Sequence, residues 1–326
     1  MSRVLITGGA GFIGSHIVDW AIREFEEVRV LDNMGYAARY ENIGDHIKTR
    51  DVEFVMGDIC NYTLYDKVLD GIDVVIHAAA ESHVDNSFAD PVRFINTNVA
   101  GTQLLMHACL QYDVEKIIHF STDEVYGDSD KKLLTEEDKL TPTSPYAASK
   151  ASGDLIVQSY IKAYNLPAVI IRPNNVYGIR QHPEKLIPTA CMCIKQGFPI
   201  PLHGNGENKR TYLSVHDLVV NLEYLLFHYW TPGEIYNMGT SFEYSNNEIV
   251  KRICHSAGER FTDSISYVND RQYNDKRYHI DCIKFNNLMS NDSEDMFNDI
   301  IDDIPELLDW YGKHAGEFVH GWYKNK

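Results

Sequence analysis

Short apolar runs rich in β-branched residues alternate with longer stretches of helical periodicity through the first half of the chain. Residues 3–7, 28–31, 52–56, 73–76, 116–120 and 168–171 have the length and near-continuous hydrophobicity of strands buried on both faces. Between them, residues 11–25, 61–70, 91–112 and 144–164 carry helical patterns. This alternation predicts an α/β fold built on a doubly wound parallel sheet. Beyond about Pro173 the pattern loosens into Pro- and Gly-rich segments, PEKLIP and GFPIPLHGNG, with shorter helices. The expected organisation is therefore a first domain over 1–173, to which later segments can return, and a smaller C-terminal α/β lobe drawn mainly from 174–326. The acid-rich stretch 292–309 has apolar residues Ile300, Ile301, Ile304, Leu307 and Leu308 at helical spacing, so it reads as an amphipathic helix rather than a tail.

The first strand, RVLIT, runs into Gly8, Gly11 and Gly14 as GxxGxxG, and a helix follows. A glycine triplet by itself can be no more than a tight turn. In this strand–turn–helix order it also suits a dinucleotide site: the glycines let the backbone approach a pyrophosphate, and the helix aims its first amides at that anion. The second apolar run ends in Asp32, 18 residues past Gly14. An acid there can accept hydrogen bonds from the adenosine ribose and would repel a 2′-phosphate, so NAD is expected over NADP.

Composition narrows the class. The 326 residues are 44% hydrophobic and 24% charged, enough for a large core, and a net charge of −17 argues against nucleic acid or an anionic membrane as partner. An anionic substrate would then need local cations in its own cleft. The glycine turn leaves no room before it for a signal peptide, and no apolar run approaches the ~18 residues of a membrane span, so a soluble cytoplasmic enzyme is expected. Six cysteines (60, 109, 191, 193, 254, 282) lack CxxC spacing and read as reduced packing thiols, with no metal site.

The candidate chemistry lies in STDEVYG, residues 121–127, and SPYAASK, residues 144–150. The first sets two carboxylates, Asp123 and Glu124, beside the Thr122 hydroxyl, a combination suggesting elimination as well as hydride transfer. The second places Tyr146 and Lys150 at i,i+4 on one face of a helix whose start is marked by Ser144 and Pro145, where an ammonium would ease phenolate formation. A second YxxxK, Tyr112 with Lys116, straddles a helix end and a strand start, so its side chains need not face the same way.

TGGAGFIG, Asp58-Ile59, HAAAESHVDNS, NTNVAGT, STDEVYG, SPYAASK and PEKLIP together resemble the extended short-chain dehydrogenase/reductases with a Rossmann domain, and more narrowly the nucleotide-diphosphate-glucose 4,6-dehydratases, over roughly residues 3–290. The last forty or so residues match less well: NLMSNDSEDMF stands where relatives carry a Leu-Gly-Trp step. The resemblance implies that Tyr146, assisted by Lys150 and Thr122, takes the sugar 4-hydroxyl proton as hydride leaves C4 for NAD. Glu124 then removes the C5 proton, Asp123 protonates the departing C6 hydroxyl, and the hydride returns to C6. Asp123 must be protonated near neutral pH for this, which burial beside a second carboxylate favours.

By the same resemblance Gly8, Gly11, Phe12, Ile13, Gly14, Asp32, Asn33, Asp58, Ile59, Ala78, Ala79, Ala80, Ser82, Thr97, Tyr146, Lys150 and Val176 are expected around NAD. Ser82, His83, Thr122, Asn175, Lys185, Leu186, His203, Arg210, Asn274 and Arg277 are expected around the nucleotide sugar, with Arg210, Lys185 and Arg277 as the diphosphate cations. A homodimer through the helices at 91–112 and 144–164 is implied by analogy. Members acting on dTDP-glucose read DRPGHDRRY where this chain has DRQYNDKRY at 270–278, so Asn274 replaces a histidine. RPNNVYG and HGNGENKRTYL are similar to the eukaryotic-type dehydratases, including plant domains that use UDP-glucose for rhamnose synthesis, so UDP-glucose is expected ahead of dTDP-glucose. A 4-epimerase or 4-dehydrogenase on this scaffold would need only Thr122, Tyr146 and Lys150, leaving the carboxylate pair without a task. A non-catalytic NAD-binding protein could lose Tyr146 or Lys150 without penalty.

Overall fold

The structure, a computed structural model, describes residues 2–129, 132–270, 273–289 and 297–318. The alternating apolar runs form strands β1 (Arg3–Thr7), β2 (Glu27–Asp32), β3 (Val52–Met56), β4 (Val74–His77), β5 (Lys116–Phe120) and β6 (Ala168–Pro173). Three lobe strands follow, β7 (Asn175–Tyr177), β8 (Ile200–His203) and β9 (Lys209–Ser214), before the chain returns as β10 (Ile235–Met238) to the edge of the first sheet. That sheet has the order β10-β6-β5-β4-β1-β2-β3 with every pair parallel. Winding runs outward from β1 through β2 to β3, then resumes on the other side of β1 with β4. The reversal opens a crevice at the carboxyl ends of β1 and β4, where ligands of such sheets bind.

Successive strand residues alternate between two cores. Ile6, Val30, Ile76, Ile118 and Val169 meet the helices Phe12–Glu24 and Val215–Phe227 on one face, and Leu5, Leu31, Val75, Ile117 and Ile170 meet Thr102–Gln111 and Pro145–Tyr164 on the other. Val215–Phe227, β10 and the helix Ile283–Met289, whose Phe285 is fully buried against Tyr236, pack on this sheet or its core from beyond residue 173.

Two helical expectations change in detail. Residues 61–70 yield only a 3₁₀ turn, Tyr62–Leu64, and one α turn, Tyr65–Val68. The stretch 91–112 is broken by a π-helical segment, Ile95–Gly101, between Pro91–Phe94 and Thr102–Gln111. The widened turn carries Asn98, whose amide accepts from Glu81 N at 2.9 Å and donates to Glu81 O at 3.0 Å and Ser149 Oγ at 2.9 Å. The distortion thereby ties the loop after β4 to the helix carrying Tyr146.

The lobe holds a small sheet, β7 and β9 with β11 (Glu243–Ser245), and a parallel pair, β8 with β12 (Ile265–Val268). Helices Leu186–Gln196, Asn246–Ser256 and Ile300–His314 bury Ile187, Met192, Ile253, Leu307 and Tyr311 in its core. Of the acid-rich stretch, residues 292–296 lie outside the described residues, as do 290–291 within NLMSNDSEDMF and Arg271-Gln272 within DRQYNDKRY. The helix starts at Ile300, and buries Ile300, Ile304, Leu307 and Leu308 as the spacing predicts.

Candidate active site

The glycine turn fits a dinucleotide by its closeness. Gly8 has φ +75°, and a Cβ there would lie 2.7 Å from Ala79 Cα, while a Cβ on Gly14 would fall 2.1 Å from Gly8 O. The following helix, Phe12–Glu24, has no side-chain cap at Gly11, so its first amides remain available to an anion. Asp32 is fixed by Ala10 N on one carboxylate oxygen (2.9 Å) and Met34 N on the other (2.8 Å). Each oxygen keeps a lone pair for a ribose hydroxyl. Burial raises the Asp32 pKa and the two amides oppose it. Gly8, Gly11, Phe12, Ile13, Gly14, Asp32, Asn33, Ile59, Ala78, Ala79, Ala80, Ser82, Thr97, Tyr146 and Lys150 line one cleft together. Asp58 does not line it; it braces Asn33, whose amide donates to Asp58 Oδ2 at 3.1 Å.

Sequence reasoning missed the wall over this cleft. Tyr36 donates to Glu184 Oε1 at 3.0 Å, joining the loop after β2 to the lobe, and Arg93 donates to Glu81 Oε1 at 2.7 Å. No local pattern signals these contacts. Only the acid in PEKLIP hints at one.

A second cavity meets the first along Ser82, Ser121, Tyr146, Gln181, Glu184 and Lys185. The chain leaves β5 at Ser121 and enters a single 3₁₀ turn, Asp123–Tyr126, with the Thr122 hydroxyl accepting from Glu124 N at 3.3 Å. Asp123 is 2% exposed and accepts from Thr122 Oγ1 at 3.2 Å and Asn174 Nδ2 at 2.9 Å. Burial and then the Glu124 charge push its pKa up to about 7, against Asn174, Thr122 and Arg210. Tyr278 Oη lies 3.4 Å from Glu124 Oε2 and 2.5 Å from Asp275 Oδ2, so its proton goes to the nearer carboxylate. Asn174, Asp275 and Tyr278 are further lining residues that sequence reasoning missed.

Tyr146 and Lys150 lie one turn apart near the start of Pro145–Tyr164, which Ser144 caps through Ala147 N at 3.0 Å. Both are buried. Lys150 Nζ donates to Phe120 O at 2.6 Å, and burial lowers its pKa to about 8, opposed by Asp154. Burial and the Glu124 charge push the Tyr146 phenol up, while its contact with Thr122 pulls it down. Easing of the phenolate by Lys150 is therefore not supplied by this arrangement, in which the ammonium is turned to a backbone carbonyl. The other pair parts company as its position suggests: Tyr112 donates to Asp66, and Lys116 reaches Leu226 O at 2.8 Å.

Of the residues expected at the sugar nucleotide, Ser82, Thr122, Asn175, Lys185, Leu186, His203, Arg210 and Asn274 line the second cavity. Val176, expected at the cofactor, lies there too. Arg210 is held over the Tyr278 ring at 4.6 Å with one guanidinium nitrogen on Asp275 O at 2.9 Å. Lys185 Nζ donates to Ser82 O at 3.0 Å. Asn175 Oδ1 is buried without a donor among the described residues, an acceptor left for a ligand hydroxyl. Two residues are not brought in. Arg277 is spent on Glu243 through contacts of 2.5 and 2.9 Å, and His83 is buried behind the wall, 3.5 Å from Asp85 and 3.7 Å from Glu184. Among the described residues no cluster of His, Cys, Asp and Glu is arranged to hold a metal, and all six cysteines are free thiols.

A doubly wound domain whose glycine turn, Asp32 and Tyr-Lys pair line one crevice, opening into a lobe cavity, defines an extended short-chain dehydrogenase/reductase. Residues 5–304 match the family model described as GDP-mannose 4,6 dehydratase. The chain is 37% identical over 97% of its length to the Arabidopsis thaliana trifunctional UDP-glucose 4,6-dehydratase/UDP-4-keto-6-deoxy-D-glucose 3,5-epimerase/UDP-4-keto-L-rhamnose-reductase, of which it covers 49%. It thus spans about half the length of that relative. It is 36% identical to the Streptomyces niveus dTDP-glucose 4,6-dehydratase, covering 95% of this chain and 92% of the other. The crystal structure of the Streptomyces venezuelae dTDP-glucose 4,6-dehydratase with NAD bound superimposes with a TM-score of 0.92 at 37% identity, covering 99% of this chain and 100% of that one. The chain belongs to the nucleotide-sugar 4,6-dehydratase family.

Proposed function

We propose that this protein is an NAD-dependent NDP-glucose 4,6-dehydratase that converts UDP-glucose to UDP-4-keto-6-deoxyglucose and water. The observation carrying this reading is the buried Asp123, its pKa at about 7, beside Glu124 in a cavity continuous at Tyr146 with the dinucleotide cleft. An epimerase would leave that pair idle. NAD in the cleft supplies the acceptor for the C4 hydride and, once reduced, the donor to C6. Tyr146 takes the 4-hydroxyl proton, aided by Thr122 and, once its ammonium turns from Phe120 O toward the phenol, by Lys150. The 4-keto group then acidifies C5–H, Glu124 removes that proton, and Asp123 delivers its own to the C6 hydroxyl, which leaves as water. Glu124 returns its proton to C5 as C6 is reduced. Arg210 and Lys185 meet the diphosphate charge, and Asn175 accepts from a sugar hydroxyl.

The choice of UDP-glucose rests on the segments around Asn175 and Asn274 and on a relative named for UDP-glucose. Thymine's methyl group alone is worth only ~1–3 kcal/mol, so selectivity is expected to be modest. A cytoplasmic homodimer completes the reading. Val92, Ile95, Leu155 and Tyr164, all exposed, provide apolar surface on the two helical stretches that would pair.

Incubating the purified protein with UDP-glucose and dTDP-glucose side by side should yield products lighter by one water without added cofactor. Deuterium at C4 should reappear at C6. Unchanged mass would overturn the dehydratase in favour of an epimerase, and a preference for dTDP-glucose of about tenfold, ~1.4 kcal/mol, would overturn the UDP assignment.

The two pKa values give the expected pH dependence. Asp123 acts as the acid, so its active form is present below about 7 and lost as pH rises through that value. The Lys150 ammonium is lost only above about 8. Single-turnover rates should therefore show water loss declining at lower pH than C4 oxidation. Coincident limbs would remove Asp123 as the acid.

A further inference from the structure

Beneath the turn bearing Asp123 and Glu124 lies a buried ion pair whose one part so far is the influence of Asp154 on Lys150. Asp154 is 0% and Arg172 1% exposed, and the guanidinium spans the carboxylate through contacts of 2.9 and 3.1 Å. The pair reaches both ends of the turn. At the entering end, Ser121 Oγ donates to Asp154 Oδ2 at 2.8 Å. At the leaving end, Arg172 donates its remaining nitrogen to Tyr126 Oη at 2.6 Å and stacks over that ring at 4.9 Å. Tyr126 in turn donates to Asn237 Oδ1 at 2.8 Å, and the Asn237 amide is held by Leu134 O and Asp281 O at 3.1 and 3.0 Å. Asp154 lies two turns beyond Tyr146 on the same helix, and Gln158 Nε2 closes its second oxygen at 2.7 Å.

We infer that Asp154 and Arg172 are positioning residues for the elimination step, a rigid footing that fixes the Asp123-Glu124 turn at both ends relative to the helix carrying Tyr146. The inference rests on the acid–base reading of Asp123 and Glu124. Elimination needs two adjacent side chains of one short turn placed at C5 and C6 together, so tilting the turn misplaces both. A misplacement of 1 Å can cost ~10²-fold in rate. Oxidation depends chiefly on Tyr146 and Lys150, on a helix that has its own cap and its own packing; Thr122 joins them from the entering end of the turn, so the leaving end is where elimination can be disturbed alone. A fully satisfied buried network is suited to holding one geometry. Removing a member of the ion pair would strand a buried charge, and Ser121 lines both cavities, so the informative changes are at Tyr126 and at Gln158.

The test is single-turnover kinetics on Tyr126→Phe, which loses the pinning hydroxyl, and Gln158→Ala, which frees one Asp154 oxygen, with reduced-nicotinamide absorbance and product mass followed together. Water loss should slow by about 10- to 100-fold while C4 oxidation stays within about twofold, so that absorbance builds and decays slowly. A general structural defect would slow both steps alike, and that result, or wild-type elimination in both variants, would overturn the footing. Gln158→Ala removes only one hydrogen bond, on a side chain that lines neither cavity, and decides the matter if Tyr126→Phe does not fold. Glu124→Gln run alongside separates the two ideas. If it fails to stall, the acid–base reading falls. If it stalls while Tyr126→Phe and Gln158→Ala both eliminate normally, the footing alone falls.

Discussion

Glu124→Gln is expected to oxidise the sugar at C4 and stop there, with nicotinamide absorbance at its full single-turnover amplitude and no product lighter by water. The amide keeps the size of the side chain and its place on the turn, so Lys150 and the cleft are undisturbed, and the Tyr146 phenol, relieved of the Glu124 charge, ionises more readily. What it loses is basicity, and positioned proton transfer contributes ~10²–10⁴-fold. The charge removed is also the second largest cause of the raised Asp123 pKa. Asp123 should then ionise at lower pH and become a weaker proton source, so the stall should deepen as pH rises. Asp123→Asn should be milder if water can reach the C6 oxygen. Normal water loss by Glu124→Gln would remove the carboxylate from the mechanism.

What could be read from the sequence follows the range over which each feature is determined. RVLIT with its glycine turn, Ser144-Pro145 before the helix, and Tyr146 with Lys150 are each specified within a few residues, and the structure places them as read. Asp123 and Glu124 were visible as a pair, but the partner holding Asp123, Asn174, is 51 positions away and carries no local signal. Charge alone could not separate Arg210 from Arg277. The first stands over Tyr278 in the cavity and the second is neutralised by Glu243, a distinction made by β9 and β11 coming together. The return of β10 to the sheet was hidden for a similar reason: a four-residue apolar strand in a Pro- and Gly-rich half looks like any lobe strand until its neighbour is known. The π-helical segment was invisible because INTNVAG keeps helical periodicity on either side, and its cause, the three contacts of Asn98, is tertiary.

Tyr146→Phe is expected to abolish product formation and, unlike Glu124→Gln, to give no nicotinamide absorbance change at all. The ring packs edge-on against Phe94 at 6.3 Å, a contact that phenylalanine keeps, so folding and thermal stability should be nearly unchanged. The lost hydroxyl is the group facing Thr122 at the junction of the two cavities, and among the described residues no other buried phenol lines both. Because burial and Glu124 hold this phenol above its ordinary value, Tyr146 ionises readily only when positive charge gathers around it, which a bound oxidised nicotinamide and a Lys150 ammonium turned from Phe120 O would provide. Lys150→Met should therefore reproduce much of the Tyr146→Phe defect in the oxidation step. Oxidation precedes elimination, so the Tyr146→Phe/Glu124→Gln double variant should be no worse than Tyr146→Phe alone. Appearance of reduced nicotinamide in Tyr146→Phe at a rate within about tenfold of the unaltered protein would show that another group takes the 4-hydroxyl proton.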